Sequence, residues 1–308
     1  MFRQRLSWKL NRLLRHVTQQ LDSMENLWRG TQVRTRMCPN CRALVGVDEK
    51  ICSFCNMKLG YRASGIGKLI QNIAPNFAPV SYSLLTTNFI FFVLIFIAER
   101  DLTTQDLGQL LKGGNSRTLA MWGADVALLV NQGGQWWRLF SAIFIHAGII
   151  HLLFNSYALI FIGPLLEESL GKERFLIFYL TTGALGFVLS NWYYPPTLVT
   201  VGASGAIFGM IGAAIVLSRR WSTWGSMMGQ QLVHWAIYGF VYGLFLGANN
   251  AAHMGGFLSG AALAYLLPNP NRAEFSKPTE LLWKILYWLS LIIACLSLGL
   301  AIRFRISQ

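Results

Sequence analysis

The chain of 308 residues is 54% hydrophobic and 13% charged, with a mean hydropathy of +0.42. That composition excludes an ordinary soluble domain and indicates a polytopic membrane protein. The net charge is +13, and thirteen of the 26 Lys and Arg precede residue 80. A basic cluster ahead of the first apolar run reads as an orientation signal that leaves the N-terminus in the cytoplasm, and no nucleic-acid partner is expected.

Residues 2–28 place Phe2, Leu6, Leu10, Leu13, Leu14, Val17, Leu21, Leu27 and Trp28 at helical spacing, with Arg3, Arg5, Lys9, Arg12 and Arg15 between them. A basic amphipathic helix of this kind suits either an anionic leaflet or the surface of an adjacent small domain. A mitochondrial presequence has a similar composition. Cys38-Pro39-Asn40-Cys41 and Cys52-Ser53-Phe54-Cys55 follow, a paired C-x2-C with ten residues between. Two such turns set four thiolates around one tetrahedral site, which points to structural Zn²⁺ in a zinc-ribbon-like domain. A rubredoxin-like iron site is the chemical alternative. Cys295 stands alone, and no extracellular disulfide framework is suggested.

The first long apolar run begins near Val80, so no secretory signal peptide is expected. Seven spans are predicted, near 80–98, 148–166, 174–193, 203–218, 231–247, 251–267 and 282–302. Lys172, Arg219, Arg220, Arg272 and Lys277 fall in connections on the cytoplasmic side of that topology, whereas 194–202 and 248–250 carry no Lys or Arg. Arg303 and Arg305 run against the trend. The long connection 99–147 is predicted to lie half-submerged, with amphipathic stretches Leu102–Leu111 and Leu119–Val130. Trp136-Trp137-Arg138 then reads as an interfacial anchor.

Polar side chains on the spans mark the chemistry. Ser204 lies between Gly202 and Gly205 at the start of one span, with Gly209 one turn on. His253 shares a helix face with Gly256 and Gly260 on another. Two glycine-faced helices, one carrying Ser and one carrying His, can approach closely enough for the hydrogen bond that nucleophilic catalysis needs. His151 and Asn155, four apart, share a face of the second span, where polar groups are expensive enough to suggest function. His146-x4-His151 is rejected as a metal site because i, i+5 diverges around a helix and no carboxylate is near. His16 and His234 have no comparable partners. No acidic third group is visible, so a Ser–His dyad is expected.

Together Trp137-Arg138, His146-x4-His151-x3-Asn155, Gly202-x-Ser204-Gly205-x3-Gly209 and Ala252-His253-x2-Gly256-x3-Gly260 resemble the rhomboid intramembrane serine proteases over roughly residues 80–270. The resemblance implies a nucleophile at Ser204, a general base at His253 and oxyanion stabilisation by His151 and Asn155. It also implies transmembrane protein substrates, with lateral access between spans two and five. The aromatic residue four after the serine, often Tyr in the family, is Phe208 here, which keeps the ring and loses the hydroxyl. The extra span follows the six-helix core, unlike the one-plus-six arrangement that mitochondrial members resemble.

The reading is an all-α polytopic membrane protein: a basic helix at 1–30, a zinc-ribbon-like domain at 31–62 and a linker at 63–79. A six-span rhomboid-like core follows at 80–270, then a loop, a seventh helix and the C-terminus at 271–308. The expected function is a plasma-membrane serine endopeptidase that cuts transmembrane segments near the outer face. Its catalysis needs no cofactor, and its zinc-ribbon-like domain can recruit a cytoplasmic partner. The rival from another class is a catalytically silent escort protein of the same fold.

Overall fold

The computed structural model describes residues 35–37, 44–46, 49, 52–53, 78–98, 115–221, 225–268 and 277–307. The chain divides into two compact units, residues 1–73 and 74–308. In the first, β1 (Thr35–Met37) pairs antiparallel with β2 (Leu44–Gly46), with Arg36 opposite Val45. The stretch that joins these strands in sequence holds Cys38 and Cys41. Cys38, Cys41 and Cys55 lie outside the described residues, as do the 2–28 stretch and Leu102–Leu111; Cys52 is buried.

The second unit is almost wholly helical. In chain order it contains α1 (Pro79–Ala98), α2 (Ser116–Met121), β3 (Asp125–Val126), α3 (Ala127–Asn131) and α4 (Arg138–Ser141) with a 3-10 turn at Ala142–Phe144. Then come α5 (Ile149–Leu170), α6 (Lys172–Tyr193), β4 (Val199–Thr200), α7 (Ser204–Trp221), α8 (Gly225–Leu246), α9 (Asn250–Leu266) and α10 (Lys277–Ile306). The seven long helices among the described residues fall where the seven spans are predicted, with ends shifted by up to six residues. Among the described residues, four are long and apolar enough to cross a membrane by length and composition alone: α1, α5, α6 and Thr279–Ile306 of α10. α7, α8 and α9 do not meet that measure. For α7 the reason is visible: it is 18 residues long and its last turn carries Arg219 and Arg220, which lower its mean hydropathy although Gly205 to Ala214 are all buried. α9 is only 17 residues long and rich in Gly and Ala.

α7 lies at the centre, and its tightest partner is α9. A methyl group built on Gly256 would overlap the Gly205 carbonyl oxygen, and one on Gly260 would overlap that of Gly209. The two backbones therefore touch directly, the packing mode that small residues permit inside a bilayer. α6 closes on the same pair, with a Gly186 methyl reaching 2.6 Å from the Ala252 oxygen. Around this seam the core fills with Leu159, Leu166, Phe175, Phe178, Tyr179 and Met210.

Both ends of the bundle are held by polar contacts. At one end Glu167, near the end of α5, accepts from the backbone N–H groups of Val80 (3.0 Å) and Ser81 (2.8 Å) and from the Ser81 hydroxyl (2.8 Å). A carboxylate there satisfies orphan donors of the first turn of α1 and complements its dipole. At the opposite end Asn249 caps α9 by accepting from Ala252 N (2.9 Å). Its amide donates to Ser190 Oγ (2.5 Å) and Thr200 Oγ1 (3.1 Å), so α6, β4 and α9 meet at one side chain.

The connection before α5 is built from short elements. The amphipathic stretch Leu119–Val130 runs through parts of α2, β3 and α3. The chain reverses at Gly123 (φ +96°), where a Cβ would lie 2.8 Å from Ala301 Cβ and 2.9 Å from Ser141 Oγ. The reversal lets Asp125 pair with Thr200 across β3 and β4. Trp136 is exposed as an anchor would be, but Trp137 and Arg138 are buried. The Arg138 guanidinium sits 4.7 Å from the Trp137 ring and 4.9 Å from that of Phe304 on α10, so the seventh helix helps hold this connection in place.

Candidate active site

The site forms where α5, α7 and α9 begin. α7 starts at Ser204, one residue after a loop in which Gly202 adopts φ +118° and donates its N–H to Ala142 O (2.9 Å). A side chain at Gly202 would be strained in that conformation and would strike the His151 ring, 2.6 Å from its Cε1. Gly202 thus lets the loop turn into the helix while His151 lies against its backbone.

Ser204 Oγ lies 2.9 Å from His253 Nε2. On the far side of the imidazole, Nδ1 is 3.2 Å from Asn250 Oδ1, and Asn250 Nδ2 in turn donates to Phe240 O (3.1 Å). The second bond fixes which end of the Asn250 amide faces the ring. Nδ1 then carries the proton and donates it, leaving Nε2 as the acceptor for the serine hydroxyl. Phe208, one turn along α7, stacks on the imidazole with centroids 4.3 Å apart and planes at 14°. Phe240 meets the same ring edge-on at 6.2 Å. The stack expected of Phe208 without a hydroxyl is therefore present.

Asn155 is buried and its amide donates to His151 O (2.9 Å), one turn back on its own helix. That bond uses one of two amide protons and leaves the second available. His146 does not diverge from His151 as a helical i, i+5 pair would. It precedes α5, and the two rings meet edge-on at 5.2 Å. No group of three or more His, Cys, Asp or Glu suited to a metal occurs among the described residues.

Behind the site Asp125 is fully buried and accepts from Asn191 Nδ2 (3.0 Å). Burial pushes its carboxyl up to about 7, opposed by the Asn191 bond and the Arg138 charge. Arg138 donates to Gln135 Oε1 (2.6 Å), Ala120 O (2.6 Å) and Ala124 O (2.8 Å). Burial draws its guanidinium down to about 10, opposed by Asp125.

Sequence reasoning missed Asn250, Asn249 and Glu167. Asn250 was legible as a polar residue three before His253, hence on its face. Asn249 carried the ordinary N-cap signal of Asn before an apolar run. Glu167 looked like a surface charge at a helix end, and its long-range bonds to α1 had no local sign.

Residues 133–270 match the Rhomboid domain family. The chain is 36% identical over 172 residues to rhomboid protease GluP of Bacillus subtilis (strain 168), covering 54% of this chain and 33% of that protein. It is 36% identical over 172 residues to RHOMBOID-like protein 1 of Arabidopsis thaliana, covering 54% of this chain and 44% of that one. It therefore spans less than half the length of either. Against the rhomboid-family protein YdcA of Bacillus subtilis (strain 168) it is 37% identical over 140 residues, 43% of this chain and 68% of that one. The fold is that of an all-α polytopic membrane protein, and the chain belongs to the rhomboid family.

Proposed function

We propose that the protein is an intramembrane serine endopeptidase that cuts transmembrane segments of other membrane proteins. The observation that carries this is the 2.9 Å approach of Ser204 Oγ to His253 Nε2, with the imidazole stacked on Phe208 and its other nitrogen against Asn250. In this reading His253 Nε2 takes the serine proton as Oγ attacks the scissile carbonyl, and the imidazolium then gives that proton to the leaving amine. Water attacks the acyl-enzyme with the same base, releasing the acid and restoring Ser204. Asn250 holds the productive tautomer. The oxyanion meets the Ser204 N–H at the start of α7, the His151 ring beside Gly202, and the unused proton of Asn155.

Access is proposed between α5 and α8, which meet through aromatic side chains: Trp235 lies 6.3 Å from Tyr157 and 5.6 Å from Phe161. A substrate helix must unwind there before its peptide bonds are open to attack. The site is proposed to face outward from a plasma membrane with the N-terminus in the cytoplasm. Lys172, Arg219 and Arg220 support this, since they lie at the helix ends remote from Ser204; thiol labelling of single-cysteine variants in intact cells tests it.

The test of the reaction is cleavage of a reporter transmembrane substrate by the full chain in liposomes. Ser204→Ala and His253→Ala should each lower turnover by at least about 10⁴-fold with Tm unchanged. Turnover near the wild-type rate in Ser204→Ala protein would remove the dyad.

For the first unit we propose one structural zinc held by Cys38, Cys41, Cys52 and Cys55, supported by their spacing and by the β1–β2 hairpin that flanks the first pair. Elemental analysis of freshly purified, reduced protein should find about one zinc per chain, and Cys38→Ser should lose it. Iron in its place would make the site rubredoxin-like.

A further inference from the structure

In the lower half of the bundle α7 and α9 stay in contact, where a methyl group on Gly212 would overlap the Phe257 carbonyl oxygen, but α8 does not close on both. Between them lies a cavity of about 430 Å³, within the range of about 300–1,000 Å³ typical of small-ligand sites. Its walls are apolar: Gly212 and Val216 on α7, Val233 and Ile237 on α8, and Phe257 and Ala261 on α9. The single charged side chain on its lining is Arg219. At about 1.5 Å per helical residue, Gly212 is about 12 Å below Ser204 and Arg219 about 22 Å below. The cavity therefore extends from beneath the Ser–His pair, where Phe240 forms part of its lining, to the opposite end of the bundle.

The two arginines at that end of α7 are used differently. Arg220 is engaged with the end of α9, donating to the carbonyl oxygens of Ala264 (3.1 Å), Tyr265 and Leu267 (2.9 Å) and lying 5.1 Å from the Tyr265 ring. Arg219 is exposed, lines the cavity, and has no such acceptor among the described residues. A long apolar slot with one cation on its lining at the membrane-boundary end matches a ligand that is a hydrocarbon chain with an anionic head.

We propose that this cavity holds one acyl chain of an anionic phospholipid, with the headgroup phosphate on Arg219. α8 packs on α7 and only lightly on α9, so a chain in the slot supplies the contacts that α9 does not. It would steady α8 from the side opposite α5. This site rests on the membrane fold alone and not on the chemistry assigned to Ser204.

The test uses the full chain in phosphatidylcholine nanodiscs containing phosphatidylglycerol with a photoreactive diazirine at the acyl terminus, and peptide mapping of the crosslinks. Labelling should concentrate on the peptides bearing Val233–Phe240 and Phe257–Ala261, above that on the exposed faces of α1 and α10. Arg219→Gln, at an exposed helix end, should lower cavity labelling about fivefold, as fits one basic side chain beside an anionic headgroup. It should also erase the preference over a phosphatidylcholine probe. Ala261→Leu should reduce cavity labelling by either probe and leave α1 and α10 labelled as before. Even labelling of all lipid-facing helices, or cavity labelling of phosphatidylglycerol undiminished in Arg219→Gln, overturns the proposal.

Discussion

The two flanks of α7 are built on opposite principles. On one side α7 and α9 meet glycine to backbone, with Gly256 against Gly205 and Gly260 against Gly209, leaving no room for a methyl group. On the other side α8 meets side chains instead of backbone, Gly239 against the Phe208 ring and Gly243 against Asn250, with an open slot below, and Tyr238, Tyr242 and Phe245 are exposed. The difference teaches where precision is needed. Ser204 and His253 sit on the two helices of the tight flank, so their distance is set by backbone contact and not by adjustable side chains. The loose flank brings Phe240, Gly239 and Gly243 against the site's side chains, and it is the flank by which a substrate is proposed to arrive.

Breaking the tight flank should have the larger effect. Gly256→Leu must push α9 away from α7, and a displacement of about 1 Å at the reacting pair is enough to lose about 10²-fold in turnover. Tm should fall as well, because overpacking forces backbone shifts. A change at an exposed ring of the loose flank, Phe245→Leu, should leave both quantities near the wild-type values. Equal tolerance in the two variants, measured by reporter cleavage and thermal unfolding, would contradict the contrast.

The polar groups around the pair grade the tight flank more finely. His151→Ala and Asn155→Ala should each lower kcat by about 10–10²-fold. Removal of one preorganised donor typically loses about 10²–10³, and here three donors share the developing charge. Unchanged kcat with lowered Tm would make both residues packing groups. Asn250→Ala should reduce kcat within the same range and leave KM unaltered, since the Asn250 contact orients His253 and touches no substrate.

These residues also show how far the chain could be read unaided. The glycine spacing on α7 and α9 was legible because close approach needs small residues at one face, and that spacing is local. Ser204, His253, His151 and Asn155 were singled out for the same reason: a polar side chain in an apolar run is conspicuous. The connection before α5 was not legible. Its shape depends on Gly123 packing under Ala301 and on Trp137 and Arg138 both meeting Phe304, contacts that span well over a hundred residues. Nor was the open slot, since Val233, Ala261 and Gly212 look in sequence like any lipid-facing residues.

A smaller effect should come from behind the tight flank, where Asp125 joins β3 to α6 through Asn191. Its carboxyl is raised from 3.8 to about 7 in the folded protein, so between those values the folded state holds a proton that the unfolded state has lost. Stability from this group is therefore greatest near pH 4 and falls as pH rises towards 7. Asp125→Asn should flatten that slope in thermal unfolding measured across the window. A slope identical to that of the wild type would assign the pH dependence to other groups.

The measurement closest to the central claim is reaction of the full chain in a bilayer with a fluorophosphonate, mapped by mass spectrometry. A single modified serine, Ser204, is expected, formed only while His253 is intact to accept the proton, so that His253→Ala abolishes labelling in folded protein. Labelling at another serine, or labelling of Ser204 at the same rate without His253, would contradict it.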